Sequence, residues 1–278
     1  MLTNDQTERI EREAYLPEHL PDYVCAVAGG EPFCFEDYLA YVREGVLIFI
    51  GYPLGAPFEA GPLERSLAGA LGQCKPNLVS LIAPAIPPSL VKDLPPSDRY
   101  YRLDLKTVVL SQKTRNMLKR AGRELTVQTG GRFGSEHERL IRDFLRRRPV
   151  DEATRSIFAG IDRYLDASRS ARIYEARNGD GALVAFDVAD FASLDYAFYM
   201  FNITAADPYV PGASDLLLAR VIEQAVAEGK KWINLGLGIN SGVVAFKTKW
   251  GGVPFLPHAF HQYRPAGKGL LEMLLRWM

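Results

Sequence analysis

Ala171-Arg-Ile-Tyr-Glu-Ala-Arg-Asn178-Gly-Asp-Gly-Ala182-Leu-Val-Ala-Phe-Asp-Val-Ala-Asp190, followed after a short break by Tyr196-Ala-Phe-Tyr-Met-Phe-Asn-Ile-Thr204, is the stretch that decides the fold. Two runs of strand-forming residues flank Asn178-Gly, and an Asn-Gly dipeptide between such runs marks a tight hairpin. Tyr196–Thr204 then supplies a third antiparallel strand. Pro211-Gly-Ala-Ser-Asp-Leu-Leu-Leu opens a helix that runs to about Ala227 and ends at Gly229. Lys231-Trp-Ile-Asn-Leu-Gly-Leu reads as a buried strand. Asn240-Ser-Gly caps a short helix through Lys249, and Phe255–Tyr263 closes with a strand. The order is β-β-β-α-β-α-β.

Working outward, residues 1–98 repeat the pattern more loosely. After helical segments broken by Pro17 and Pro21, one strand is expected over Phe33–Arg43 and another over Val46–Tyr52, turning at Glu44-Gly45. Leu63, Leu67, Ala70 and Leu71 have helical spacing, and Asn77–Ala83 returns as a strand. The proline-rich run Pro84–Pro96 reads as a linker, and Tyr100–Leu105 as one more strand. Between the halves lie three expected helices: Gln112–Arg123 capped by Ser111, one begun by a capping box of Ser135 and Glu138, and one starting near Asp151. The expected organisation is an N-terminal unit over 1–98, a basic strand–helix segment over 99–170 and a C-terminal unit over 171–278. The class is α/β (α+β), with mixed, mostly antiparallel sheets and flanking helices.

The chain has 278 residues, 47% of them hydrophobic, which excludes intrinsic disorder and leaves room for two domains. No apolar run reaches the ~20 residues that span a bilayer, and the polar N-terminus does not read as a secretory signal. Three cysteines without metal-ligand spacing (Cys25, Cys34 and Cys74) fit reduced thiols in a cytoplasm, and no metal site is visible. The zero net charge hides an asymmetry: Lys and Arg outnumber Asp and Glu 19 to 10 over 99–177, but are outnumbered 14 to 6 over 1–98. Such a basic segment either binds a phosphate-bearing partner or faces the acidic third of its own chain.

The strand order resembles the GNAT acyltransferase fold, and two stretches resemble a narrower tandem-GNAT group. This group contains the Fem-type aminoacyltransferases and the C-terminal domain of lysyl-phosphatidylglycerol synthases. The first stretch is Tyr101-Arg-Leu-Asp-Leu with Ser111-Gln-Lys-Thr-Arg-Asn-Met-Leu-Lys-Arg-Ala-Gly. The second is Gly236-Leu-Gly-Ile-Asn-Ser-Gly-Val-Val-Ala-Phe-Lys-Thr-Lys-Trp-Gly-Gly, a Phe-Lys pair followed by an aromatic and two glycines. The phrase from Gly45 through Phe49-Ile-Gly-Tyr-Pro-Leu-Gly is similar to the synthase domain.

The resemblance implies transfer of an activated acyl or aminoacyl group to an acceptor amine, which could be a small molecule, a lipid headgroup or a peptide. Negative charge grows on the carbonyl oxygen, so a fixed cation there lowers the barrier. The resemblance puts Lys247 in that role with Phe246 as a stacking surface, although most lysines are simply solvated. Lys113, Arg115, Lys119, Arg120 and Arg123 would serve a phosphate or the acceptor, and tRNA is a partner this implies. No tightly bound cofactor is implied; the co-substrate is acyl-CoA or aminoacyl-tRNA.

Gly212, Ala213, Ser214 and Asp215 stand where CoA-dependent relatives carry their phosphate loop, but Tyr209 replaces the usual Arg or Gln. Asp215 puts a negative charge in the first turn, which opposes a pyrophosphate. Asp187 and Asn202 are candidates for acid–base or carbonyl-orienting work. Tyr199 is expected on the strand face opposite Asn202. The amphipathic tail Gly269–Met278 suits a membrane surface, its own domain or a homodimer contact. An acyl-CoA-dependent N-acyltransferase and a catalytically inactive binding module are the two rival readings.

Overall fold

The computed structural model describes residues 2–91, 97–148 and 150–265. The tail Gly269–Met278 and the end of the proline-rich run therefore lie outside the described residues. Helices α1 (Asn4–Glu13) and α2 (Pro21–Ala28) flank a 3-10 turn at Pro17–His19, as the two prolines dictate. Thr3 and Gln6 close a reciprocal capping box on α1. Strands β1 (Glu31–Phe35), β2 (Tyr38–Arg43) and β3 (Val46–Ile50) form a meander, α3 (Ala60–Cys74) crosses over, and β4 (Leu78–Ala83) returns parallel to β3.

The expected single strand over Phe33–Arg43 is a hairpin instead. Glu36 takes the left-handed conformation (φ 52°), so Phe35 pairs with Tyr38 across a two-residue turn. Neither Glu36 nor Asp37 is a glycine, which left the turn without its usual signal.

The middle segment gives β5 (Asp98–Asp104), α4 (Gln112–Glu124), the edge strand β6 (Leu125–Thr129), α5 (Ser135–Arg147), α6 (Glu152–Ala159) and α7 (Ile161–Ala167). The cap of α5 differs from the expected box. Gly134 is the N-cap, and its N–H donates to His137 Nδ1 at 3.1 Å. Glu138 pairs instead with Arg142 one turn on. The third expected helix is two, parted at Gly160, where α2 packs against the joint.

The C-terminal half follows the expected order: β7 (Ala171–Asn178), β8 (Leu183–Asp190), β9 (Tyr196–Thr204), α8 (Ala213–Ala227), β10 (Trp232–Leu237), α9 (Ser241–Lys249) and β11 (Val253–Tyr263). The eleven strands of the described residues form one sheet, ordered β1-β2-β3-β4-β11-β5-β10-β9-β8-β7-β6. Only β3–β4 and β9–β10 pair in parallel; the other neighbours are antiparallel.

Each half thus contains a meander, a helix and a parallel strand. The chain then crosses itself: β5 follows the first unit in sequence but pairs with β10 of the second. Strand β11 spans the join, its first part on β5 and its last on β4.

The core is laid down on both faces of this sheet. Leu217, Leu218 and Val221 of α8 pack on Ala185, Ala189 and Ala197, while Leu63, Leu67 and Ala70 of α3 pack on Leu47, Phe49 and Leu81. On the opposite face of the C-terminal unit, Leu16, Leu20 and Val24 cover Tyr100, Tyr196 and Phe198. The N-terminal helices therefore cap the back of the C-terminal sheet.

Candidate functional site

Strands β9 and β10 are parallel neighbours for only three pairs, Trp232↔Tyr196 to Asn234↔Phe198. Beyond that point β10 turns away. Gly236 takes φ +75°, a conformation that side chains resist, and its N–H donates to Asn234 Oδ1 at 2.8 Å. The register with β5 shifts across the same residues, so Leu237 faces Tyr100 after an irregularity. The two strands part and leave backbone groups of β9 from Tyr199 onward without a β10 partner.

Lys247 lies at this opening. It sits in the last turn of α9, whose start is fixed by Asn240 Oδ1 accepting from the N–H groups of Gly242 and Val243. The side chain is 4% exposed. Its Nζ donates to the Leu237 carbonyl, lies 5.7 Å from the Tyr101 ring centroid and 3.7 Å from where a Cβ on Gly236 would stand. Burial lowers its pKa to about 7, and Asp98 opposes that shift only in part. Asp98 itself accepts from the N–H groups of Gly238 and Ile239, which ties β5 to the loop before α9. Phe246 stacks on Tyr199 at 6.5 Å, with the rings 22° apart.

Asp187, Asn202, Tyr199 and Ser214 converge on the α8 side of the sheet. Asn202 lies three positions after Tyr199, which in a regular strand puts them on opposite faces. A register shift in β9 opposite Val188–Ala189 reverses this: Asn202 pairs with Asp187 and Tyr199 with Ala189, both on one face. Sequence alternation missed this bulge because no glycine or proline marks it. Asn202 Nδ2 donates to Asp187 Oδ1, and Asn202 Oδ1 accepts from the Ser214 hydroxyl at 2.9 Å.

Asp187 is fully buried, and desolvation pushes its pKa up to about 8 against the opposing hydrogen bonds of Asn202 and Tyr199. The Tyr199 hydroxyl faces this carboxyl, and burial, then the Asp187 charge and the hydrogen bond to it, raise its pKa well above the usual phenol range. A carboxyl held in its acid form can donate as well as accept, which an ionised Asp cannot do.

At the start of α8, Gly212 is the N-cap (φ +87°), Ala213 is the first helical residue, and Ser214 lies inside the first turn, turned to Asn202. Asp215 points inward: Trp250 Nε1 donates to its Oδ1 at 2.8 Å, and Lys249 pairs with the same oxygen. Its charge is thus met from α9 rather than directed at a ligand. A Cβ on Gly212 would stand 3.0 Å from Met117 and 3.2 Å from Ala121, so α4 rests directly on this loop.

The opposite side of α4 carries Lys113, Arg115, Lys119, Arg120 and Arg123, all exposed. Arg115 bonds Gln112 and the Leu110 carbonyl, and Arg120 pairs with Glu124 at 3.4 Å. These five cations are thus solvent-facing on the helix that rests on the α8 N-terminal loop, and their recorded partners lie within or just before α4. The arginines of α5 are solvated, Arg142 and Arg146 pairing within their own helix. Among the described residues there is no group of three or more metal-ligating side chains and no helix long and apolar enough to cross a membrane.

No protein-family model and no curated protein matches the sequence. Solved structures do match. L-PGS from Bacillus licheniformis superposes with a TM-score of 0.58 at 15% identity, covering 99% of this chain and 96% of that one. FemX gives 0.59 at 10% identity, covering 99% and 98%. A tandem GNAT protein from the clavulanic acid biosynthesis pathway gives 0.51 at 14% identity, covering 82% and 79%. The chain has the tandem-GNAT fold. That fold accounts for the paired meander–helix–strand units, and the resemblance read from the Phe246-Lys247 and Tyr101–Gly122 stretches leads to the same group of structures.

Proposed function

We propose that the protein is an N-acyltransferase. It moves an activated acyl or aminoacyl group from a phosphate-bearing carrier to an acceptor amine, in its C-terminal half and at the β9–β10 opening. One observation carries this reading. The Lys247 ammonium is buried where the strands part, and its recorded hydrogen bond goes to a backbone carbonyl rather than a carboxylate. A carbonyl oxygen entering the opening would meet a cation in a low-dielectric setting, where an oxyanion gains most.

The steps follow from that placement. The neutral acceptor nitrogen attacks the ester or thioester carbon, and the electron pair moves to oxygen beside Lys247. On collapse the carrier oxygen or sulfur leaves and takes a proton, and the amide nitrogen loses one. Asn202, fixed at both ends by Asp187 and Ser214, holds the wall of the opening in one geometry. Phe246 and Tyr199 give a stacked surface for the acyl chain or carrier. The α8 N-terminus with the α4 cations supplies the electrostatics for the carrier phosphates.

The inward turn of Asp215 removes the main objection to a pyrophosphate at this loop. It therefore favours acyl-CoA as a second, narrower reading of the donor, beside aminoacyl-tRNA. Thermal-shift and calorimetric titration with acetyl-CoA, longer acyl-CoAs, free CoA and charged tRNA separates the donors. Transfer to an amine is then followed in wild type and Lys247→Ala. Stabilisation by one donor, with turnover that Lys247→Ala loses while staying folded, supports the reading. Silence toward every donor overturns it and leaves a binding module.

A further inference from the structure

Lys247 meets the Leu237 carbonyl and the ring of Tyr101 at the opening, and of these three groups the chemistry given above uses only the lysine. Tyr101 lies in β5, half-buried, and packs against the core beneath α8. Its place is set by two slips of register at one point. On the β10 side, Arg102 pairs with Asn234 and Tyr100 with Leu237, so Leu235 and Gly236 together face Tyr101. On the β11 side, Tyr101 pairs with Pro254 and Tyr100 with Leu256, which leaves Phe255 as an extra residue. Bulges bend a strand and re-aim its side chains. The bulge at which β10 leaves β9 is therefore the one that faces Tyr101.

The loop before α9 closes on the same ring. A Cβ on Gly238 would stand 3.2 Å from it, so this loop lies directly on Tyr101. The Gly238 N–H donates to the Arg99 carbonyl at 3.0 Å and to Asp98 Oδ1 at 3.1 Å, which ties the loop to the strand that carries the ring. Lys247 Nζ stands 5.7 Å from the ring centroid, inside the ~6 Å over which a ring face attracts a cation.

The charged and titratable groups around Nζ are few. Asp98 of β5 acts on it and favours the ammonium. Tyr199 of β9 is turned to Asp187, and Asp215 of α8 is taken by Trp250 and Lys249. Burial favours the neutral amine, which could bond the Leu237 carbonyl as well as the ammonium does. The ammonium stabilises a growing oxyanion far better. A π-face attracts the ammonium and not the amine, so the ring tips the balance toward the form that the reaction needs. We infer that Tyr101 is a positioning residue for acyl transfer: its ring face holds the Lys247 side chain in the opening as an ammonium. This role rests on the acyl-transfer reading and names the group that maintains its cation.

The test compares the whole protein with three variants. Tyr101→Phe keeps the ring, Tyr101→Leu removes it, and a ring-fluorinated phenylalanine at position 101 keeps the shape but weakens the negative face. Lys247 is titrated by NMR of the lysine side-chain carbons, its signal assigned by its loss in Lys247→Met. Transfer is measured as kcat and KM over the same pH range. Tyr101→Phe should leave the titration in place and lower kcat by no more than about threefold. Tyr101→Leu and the fluorinated ring should move the titration down by roughly half to one and a half pH units, the scale of a cation–π contact. The alkaline fall of kcat should move with it, while KM stays within about threefold. For a group half-protonated near pH 7, a move of one pH unit lowers kcat there about fivefold.

If Tyr101→Leu does not fold, the fluorinated ring decides, since it fills the same space. An unmoved Lys247 titration in the folded variants overturns the proposal, as does a moved titration with an unchanged kcat profile. So does a Tyr101→Phe protein as impaired as Tyr101→Leu, which would place the role in the hydroxyl or in packing. The outcome is separable from that of acyl transfer, because the lysine titrates without substrate. A ring-dependent titration in a protein that transfers nothing would sustain the pairing of Tyr101 with Lys247 and defeat the transferase reading. Transfer with a ring-independent titration would do the reverse.

Discussion

Between β3 and β4 the parallel ladder runs through five pairs, Val46↔Leu78 to Ile50↔Ile82, and Gly51 N–H extends it to the Ile82 carbonyl at 2.7 Å. Between β9 and β10 it stops after three. The faces beneath the crossover helices differ in the same sense. Under α3 lie Leu47, Phe49, Val79 and Leu81, all fully buried and apolar. Under the start of α8 lie Asp187, Asn202 and Tyr199, with Ser214 above them. A zipped ladder over a dry face is the cheapest way to fold this unit. The C-terminal copy departs from it by leaving a strand edge open and burying groups that cost free energy to desolvate. Such departures concentrate where chemistry is done. On the proposed function the N-terminal half supports and the C-terminal half works, and this division can be broken at several points.

The largest effect is expected at Lys247. Lys247→Met should lower transfer by about a hundredfold or more, the usual cost of removing a charge-stabilising donor, and measured kcat/KM checks this. The same variant should be more stable than wild type. In the folded chain the lysine titrates near 7 rather than 10.5, so between those values the unfolded chain binds more protons. The penalty for burying it is therefore fully present below pH 7 and relieved as pH rises toward 10.5. Lys247→Met should gain on the order of 3–5 kcal/mol at pH 6 and much less at pH 10, read from urea denaturation at both values. A loss of stability at pH 6 would mean that the lysine serves the fold, and the contrast between the halves would weaken.

Asp187 tests the same contrast with the opposite sign. Its folded pKa of about 8 lies above the ordinary 3.8, so the native chain holds an extra proton between these values. This contribution is complete below about pH 4 and lost as pH rises through 8. Asp187→Asn keeps the shape of the protonated acid and should flatten the decline in stability between pH 5 and 8. Its own stability should lie within about 1 kcal/mol of wild type at pH 4 and exceed it by roughly 3 kcal/mol at pH 6. Thermal unfolding across that range decides it. An unchanged slope would show that Asp187 is ionised in the fold.

How much of this was readable beforehand depends on the signal each feature leaves. The C-terminal order was legible because Asn178-Gly, Gly229 and Asn240 mark its turns and caps in the usual residue types. The hairpin at Glu36-Asp37 and the bulge near Met200 use ordinary residues, so alternation alone drew one strand too long and put Tyr199 on the wrong face. The position of β5 depends on a crossing between halves, which no local pattern encodes. Asp215 looked like a charge aimed at a ligand. Its partners Trp250 and Lys249 are 35 and 34 residues away, in a helix whose packing only the fold reveals.

A smaller effect is expected on α4. Lys113→Glu with Lys119→Glu and Arg123→Glu should raise KM for a phosphate-bearing donor about tenfold at low salt, and less at high salt, because exposed charges are screened. A small thioester without phosphates should be used equally well by both proteins. Equal loss with the small thioester would mean that the change disturbs α8 through Met117 and Ala121 rather than the carrier's path.

The smallest effect on chemistry should come from the N-terminal copy. Leu67 is 3% exposed and packs in the apolar layer beneath α3. Leu67→Ala should cost about 2–4 kcal/mol through lost burial and an unfilled cavity. If that half is only a scaffold, the cost stays there: kcat and KM per folded molecule should remain within about twofold, measured well below the unfolding temperature. The route by which it could fail is specific. The N-terminal half touches the working half through β4 on β11, through α2 on α7, and through Leu16, Leu20 and Val24 on the back of the C-terminal sheet. A substantial fall in kcat without unfolding would show that β11, which spans both units, transmits strain from α3 to β5 and so to Asp98 and the loop that fixes Lys247. The apolar copy would then be setting the geometry of the opening, and the division of labour drawn from the two ladders would have to be given up.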